Sequence, residues 1–363
     1  MKFKSILLSF LCGLTLLAGF SACSDDDNGG LSWKDGATVS VPNYRAFILT
    51  EGSWGKNNAH LTFVDLAKDT VFKGDIYQEQ NQKTLLGDTG NDMIAYDGDL
   101  YVVMNGSEVL YRLNGSGVRQ AVYSDFEKDK LGQPRSLVAA NGKIFVTCYG
   151  GYIARFNAKT LAFEDSVKVG PNPEEIINYN GMLMCVNSGW GMGHTLSMVN
   201  SGSFDAVEDV EIPTNSFGLK HSAGHVYILS YDAGYNTYVS ELDLQTMTCQ
   251  KVADASKMLP VGDDLYMTHS VTDAVNKTVA TTFSVYQSKT KTTNPWVLKN
   301  APAALATSTV YMLERNPYDG SYFIATTDYV SNGTIYHFAA DGTYLSQFSA
   351  GGINANSMAF LKN

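Results

Sequence analysis

An all-β fold is predicted by three features of this sequence: a four-strand meander, its recurrence at a nearly fixed interval, and two incomplete copies at the chain ends. The meander is clearest over 91–123, NDMIAYDGDLYVVMNGSEVLYRLNGSGVRQAVY, where four short apolar runs are separated by three turn signals. Asp97-Gly98 joins the first two runs, 92–96 and 100–104, as a tight hairpin whose positive φ angles cost glycine little. Two further runs, 108–113 and 118–123, are rich in β-branched and aromatic residues that suit a pleated surface. Such a sheet cannot bury both faces alone, whereas a copy on either side covers it.

The copies are present. A turn pair followed by an apolar strand recurs at Asn141-Gly142, Asn180-Gly181, Ala223-Gly224, Gly262-Asp263 and Asp319-Gly320. Counted from Gly98, successive anchors lie 44, 39, 43, 39 and 57 residues apart, the interval of a propeller blade. Complete units are expected at 91–123, 136–169, 175–212, 217–252, 258–299 and 310–348. The unit at 258–299 is the least regular: its third strand follows a long loop, and SKTKTTNP replaces a tight turn. The remaining blade is assembled from both ends, with 46–50, 61–65 and 71–75 as outer strands and SMAFL at 357–361 as the innermost. The prediction is a seven-bladed β-propeller of four-stranded antiparallel blades, closed by the C-terminal strand so that no sheet edge is left exposed at the seam.

Residues 1–22 read as a secretory signal, with Lys2 and Lys4 ahead of an apolar run at 6–17 and FSA before Cys23. A cysteine directly after the cut resembles a bacterial lipobox, with Phe20 in place of the usual leucine. Cys23 is therefore the expected lipidation site, 23–44 a flexible tether, and 45–363 the propeller. The acidic SDDDN after Cys23 is similar to the surface-export tag of Bacteroides-type lipoproteins, which places the protein on the outer membrane, facing outward. Beyond residue 22 the chain carries 24 basic and 36 acidic residues, a net charge of −12 with neutral histidine. That excess, with no basic stripe, argues against nucleic acid as a partner. Cys148, Cys185 and Cys249 fall in or beside strands and are expected to be buried thiols rather than a disulfide frame.

Alternating strand direction sorts the loops onto two faces. One carries plain DG, NG and AADG turns. The other carries the unusual loops 51–60, 188–194, 231–238, 270–278 and 328–333, the kind of segment in which binding residues collect. No HExxH, GxSxG, phosphate-binding glycine loop or CxxC occurs. His221 and His225 straddle a turn at metal-compatible spacing, but a surface or core-edge role is the expectation; Glu174-Glu175 is expected to form an acidic rim. No catalytic residue, metal or cofactor is assigned, and the expected role is not enzymatic. The loops are instead rich in rings and neutral amides: Trp54, Asn57, Asn58, Asn105, Tyr149, Tyr152, Trp190, Tyr231, Tyr235 and Tyr329, with Arg135 at the channel mouth. Such a mixture stacks on a planar or sugar-like ligand while hydrogen-bonding its polar edge.

The N-terminal pattern, the opening FILTEGSWGKNNAHLTFVDL and blades of the form NGKIFVTCYGG…ARFNAKT together resemble the YncE-like propeller lipoproteins of Bacteroides-type bacteria, across about 46–361. Within that group the chain is most similar to the cobalamin-capturing BtuG type. The resemblance implies a surface lipoprotein that binds cobalamin or a related corrinoid as transported ligand and passes it to a TonB-dependent outer-membrane transporter. A glycan- or haem-binding propeller, or a propeller-type hydrolase or lyase, are the alternatives.

Overall fold

The computed structural model describes residues 32–205 and 207–363. The signal segment and Cys23 lie outside the described residues. Seven four-stranded antiparallel sheets are arranged as the blades of a closed propeller. Blade 1 joins the chain ends, pairing Ala355–Lys362 with Tyr44–Thr50, followed outward by His60–Asp65 and Thr70–Val71. Blades 2 to 7 have inner strands Gly90–Tyr96, Pro134–Ala140, Pro173–Tyr179, Ser216–Ser222, Lys257–Val261 and Thr309–Arg315. Each of these seven inner strands contacts the next, and the last returns to the first, so they wall a central channel.

Local chemistry explains the repeating hairpins. Asp97 and Gly98 have φ of 52° and 79°, and Asn141 and Gly142 have 51° and 72°, the two left-handed positions that an inward-twisting hairpin requires. The second strand of most blades is sandwiched between neighbouring blades, so it reads as a continuous apolar run instead of alternating. In Asp99–Met104 and Lys143–Cys148 only the first residue escapes full burial. The outermost strands, such as Tyr344–Ser349, alternate between half-buried and exposed. Core clusters accordingly lie between adjacent blades; Phe47, Leu49, Val102 and Met104 form one such layer between blades 1 and 2.

Three expectations are corrected. Residues 33–43 do not belong to a tether: Trp33 packs against the Arg45 guanidinium at 4.1 Å, and the Thr38 and Val39 amides donate to Gln80 Oε1. The outer edge of blade 1 is a two-residue strand followed by a short helix, Ile76–Gln80, capped by the Asp75 carboxylate accepting from the Gln78 amide. The segment 270–278 is largely strand, because Asp264–Asp273 and Thr278–Gln287 pair over their full ten-residue lengths. Thr292–Pro295 supplies the outer strand of that blade. The three cysteines are free, with Cys148 and Cys185 buried and Cys249 half-buried. Among the described residues no helix is long and apolar enough to cross a membrane.

Candidate functional site

Six of the seven inner strands break register near the loop-bearing face, each by one extra residue relative to its partner strand. Such a bulge re-aims side chains. Here the residues at or beside the breaks, including Asn91, Arg135, Glu175, Phe217, Tyr311 and Asn356, line a single cavity of about 1160 Å³ in the channel. Blade 6 has no bulge, and its cavity-lining charge, Lys257, stands at the first position of the strand.

The wall is highly charged and, over most of its circumference, paired. Arg135 Nε donates to Glu174 Oε2 at 2.6 Å, and its guanidinium also donates to Asn91. Glu174 further accepts from the Tyr149 hydroxyl at 3.4 Å and the Ser188 hydroxyl at 3.0 Å. Asp92 accepts from the Ser136 hydroxyl at 2.6 Å and the Leu137 amide at 3.0 Å. Burial nonetheless pushes the Asp92 carboxyl above its ordinary range, with those hydrogen bonds opposing. Glu175 accepts from the Leu219 amide at 2.7 Å and lies 3.6 Å from Lys220, whose ammonium it holds above the usual lysine range. Gly218, at the bulge beside that amide, packs closely on the second strand, where a Cβ would sit 2.8 Å from the Leu229 side chain. Glu51 accepts from the Tyr311 hydroxyl at 2.7 Å and from Asn354 and Asn356.

Two lining charges differ. Lys257 has its ammonium 4.7 Å over the Tyr311 ring, and Glu314 lines the same cavity from the inner strand of blade 7; among the described residues neither has an ion-pair or hydrogen-bond partner. Burial lowers the Lys257 pKa. Burial likewise raises the Glu314 carboxyl to about 7, with Lys220 and Lys257 opposing and Asp92 and Glu175 reinforcing the rise.

Of the eleven residues singled out from sequence, Arg135, Tyr231, Tyr235 and Tyr329 line this cavity. Tyr231 stacks on Phe217 at 4.5 Å, Tyr235 meets it edge-on at 6.5 Å, and Tyr329 meets Tyr311 at 5.9 Å. Tyr149 is half-buried behind Arg135 and touches Trp190 at 5.3 Å. Trp54 and Trp190 are 66% and 77% exposed and lie outside the cavity lining. Asn57 is exposed at φ 52°, and the Asn58 side chain accepts from the Ser53 amide, holding its own loop. Asn105 is buried and donates to the Pro134 carbonyl, tying blade 2 to blade 3, while Tyr152 packs into the core between those blades. Both are structural, a correction to their expected place on the ligand face. Glu174-Glu175 is not an acidic rim, since each carboxylate faces a cation. His221 packs edge-on against Tyr179, and His225 pairs with Glu241 at 2.7 Å. Among the described residues no group of three or more His, Cys, Asp or Glu is placed to hold a metal.

Sequence reasoning missed Asp92, Lys220, Lys257 and Glu314. A signal existed: Lys220 pairs with Tyr227 and Glu314 with Phe323, each the third residue after its turn glycine, so a repeat alignment puts both charges in one row of otherwise apolar strands.

The profile of a family described as a domain of unknown function, DUF5074, matches residues 44–261. No curated protein matches the sequence. Among solved structures, proteins from Bacteroides fragilis and Bacteroides uniformis, each provisionally named a 6-phosphogluconolactonase, superpose with a TM-score of 0.60 at 12% identity. Each covers 88% of this chain; the matched shares of their own chains are 98% and 100%. A computationally designed protein, Ika8, superposes with a TM-score of 0.51 at 10% identity over 86% of this chain and 89% of its own. The expectation from sequence is a ligand-capturing protein and not an enzyme. The exclusion of an enzyme is overturned by neighbours of the same architecture that carry an enzyme's name, although at 12% identity the likeness extends to the fold alone.

Proposed function

The chain belongs to the DUF5074 family, and on that premise we propose that it captures a polar organic ligand in the channel mouth, with a corrinoid as the first candidate. The observation that carries this reading is the channel cavity of about 1160 Å³, rimmed by Tyr231, Tyr235 and Tyr329 above a charged wall. Tyrosine faces stack on flat rings while their hydroxyls meet polar edges. A corrinoid offers a broad planar ring, a fringe of amides and one phosphodiester, and a rigid propeller mouth meets it without reordering, which spares binding entropy. In this reading the protein is held on the outer membrane through acylated Cys23, faces outward, and hands its ligand to a TonB-dependent transporter.

The test is calorimetry and gel filtration of the purified chain with cyanocobalamin, haemin and a glycan panel. Retained pink colour and saturable heat with cyanocobalamin support the reading; saturable binding of haemin or a glycan instead replaces the ligand. Cys23→Ala should move the protein into the soluble fraction with its fold intact, and protease added to whole cells should remove the wild type.

A second reading is favoured by Glu314, whose carboxyl exchanges its proton near pH 7 inside the cavity. That is the poise of a general base activating water. In hydrolysis of a lactone, water would add to the carbonyl carbon, Glu314 would take the water's proton, and the ring oxygen would leave with a proton. Acid release from 6-phosphogluconolactone, followed by pH-stat against the spontaneous rate and lost in Glu314→Gln, would establish it.

A further inference from the structure

Among the described residues, every Asp, Glu, Lys and Arg side chain on the cavity wall has a hydrogen-bonding or ionic partner except two, and those two stand on adjacent blades. Lys257 opens the inner strand of blade 6, and Glu314 lies on the inner strand of blade 7, which contacts it. The ammonium of Lys257 rests over the Tyr311 ring at 4.7 Å, and Tyr311 shares its strand with Glu314. Both groups remain open to the cavity: neither is among the buried polar atoms sealed off without a partner. A charge removed from bulk water and left unpaired is costly, and a ligand that completes it recovers that cost on binding.

We propose that this wall of the channel is a subsite for an anionic group flanked by a neutral hydrogen-bond donor, the anion accepting from Lys257 and the donor giving its N–H or O–H to Glu314. It rests on the capture reading above and names the polar part of the ligand. The same chemistry is offered by the phosphodiester and side-chain amides of a corrinoid and by the phosphate and hydroxyls of a sugar phosphate. A purely cationic ligand would place like charge against Lys257, and a neutral one would leave its ammonium uncompensated. The remaining charges lining the channel, Asp92, Glu175, Lys220, Arg135 and Glu51, already have partners.

The experiment compares two matched pairs of probes by calorimetry at pH 7.5: cobinamide phosphate with cobinamide, which has the same ring without the phosphate, and glucose 6-phosphate with glucose. 4-Aminobutyrate tests the zwitterionic alternative. In whichever pair binds, the phosphate-bearing member should bind at least tenfold more tightly. That advantage should vanish in Lys257→Met, while Glu314→Ala should weaken both members alike by about tenfold. Lys257→Gln is a second variant, and thermal melting confirms that each variant is folded. Equal binding of both members of the pair, a phosphate advantage that survives loss of Lys257, preference for 4-aminobutyrate, or no binding by any probe would overturn the subsite. The two readings fail separately. A silent corrinoid pair beside a responsive sugar pair removes the corrinoid and keeps the subsite, whereas corrinoid binding indifferent to phosphate keeps capture and removes the subsite.

Discussion

Blades 2 to 5 and blades 6 and 7 build one channel from the same kind of inner strand, yet they treat charge in opposite ways. On the first arc, Arg135 pairs with Glu174 and Lys220 with Glu175 across blade boundaries, and Asp92 accepts from Ser136 and Leu137 of the next blade. On the second, Lys257 and Glu314 stand in similarly enclosed positions with no ionic or hydrogen-bonding partner among the described residues. The difference teaches that channel charge has two uses. Paired groups bind neighbouring blades together and define the shape of the wall, whereas unpaired groups hold free energy that only something entering the channel can recover.

The comparison breaks most completely if the ring itself opens. The inner strand of blade 1 stands between the two arcs, contacting the inner strands of both blade 7 and blade 2. Deleting residues 354–363 should leave Tyr44–Thr50 and its buried Phe47 without cover, so the product should aggregate or lose cooperative unfolding in a calorimetric melt. A truncated chain melting as the full one does would show that the seam does not hold the ring.

Within an intact ring, the paired arc should be the sensitive one. Arg135→Met strands Glu174 in a buried, desolvated position and should cost about 3–5 kcal/mol in urea unfolding. A loss below about 1 kcal/mol would mean that water compensates Glu174 and that the two arcs do not differ.

The unpaired arc should respond in the opposite direction, and with pH. Glu314 has a folded pKa of about 7 against 4.5 in its ordinary state. The folded protein therefore holds a proton there that the unfolded chain has released between these values, so stability falls as pH rises from about 4.5 to 7 and stays low above. Glu314→Gln, which cannot ionise, should stabilise the protein at pH 8 by at most about 3 kcal/mol, less whatever channel water screens, and should do little at pH 4.5. Denaturation midpoints of the two proteins across pH 4.5–8 check this; parallel curves would remove Glu314 from the unpaired arc.

Smaller effects sharpen the picture. Tyr235 is 80% exposed on the cavity rim, so Tyr235→Ala should leave the melting curve in place while weakening the captured ligand about tenfold, as expected for a peripheral aromatic anchor. Lys257→Met should change stability by less than about 1 kcal/mol in either direction, and Met247→Ser, in a turn of the opposite face, should alter neither stability nor binding within about 0.5 kcal/mol.

Turn chemistry made the blades readable. Asp97-Gly98, Asn141-Gly142 and Asn180-Gly181 adopt the left-handed pairs that their residues favour, and the apolar run after each is the doubly covered second strand. The long hairpin of blade 6 was misjudged because Ser270–Asp273 and Thr278 sit in a stretch polar enough to read as loop, although they hydrogen-bond as strand. Residues 33–43 were misjudged for a related reason: the cover for Trp33 comes from Arg45 and Gly115, which nothing local announces. At the site, the aromatic rim residues Tyr231, Tyr235 and Tyr329 stood out by composition, whereas Asn105 and Tyr152 have the same residue types and different work.

The sequence by itself determined the number of blades, their hairpins and their closure through the C-terminal strand, because each depends on contacts between residues close in the chain or on a repeat that recurs along it. Which charges are paired was decided only by the tertiary structure. Arg135 meets Glu174 from 39 residues away, and Glu51 meets Tyr311 from 260. Whether a bulge turns a side chain into the channel, and whether a partner then stands within hydrogen-bonding reach, depends on how the ring closes; until it does, Lys220 with its carboxylate and Lys257 without one are the same residue in the same kind of strand.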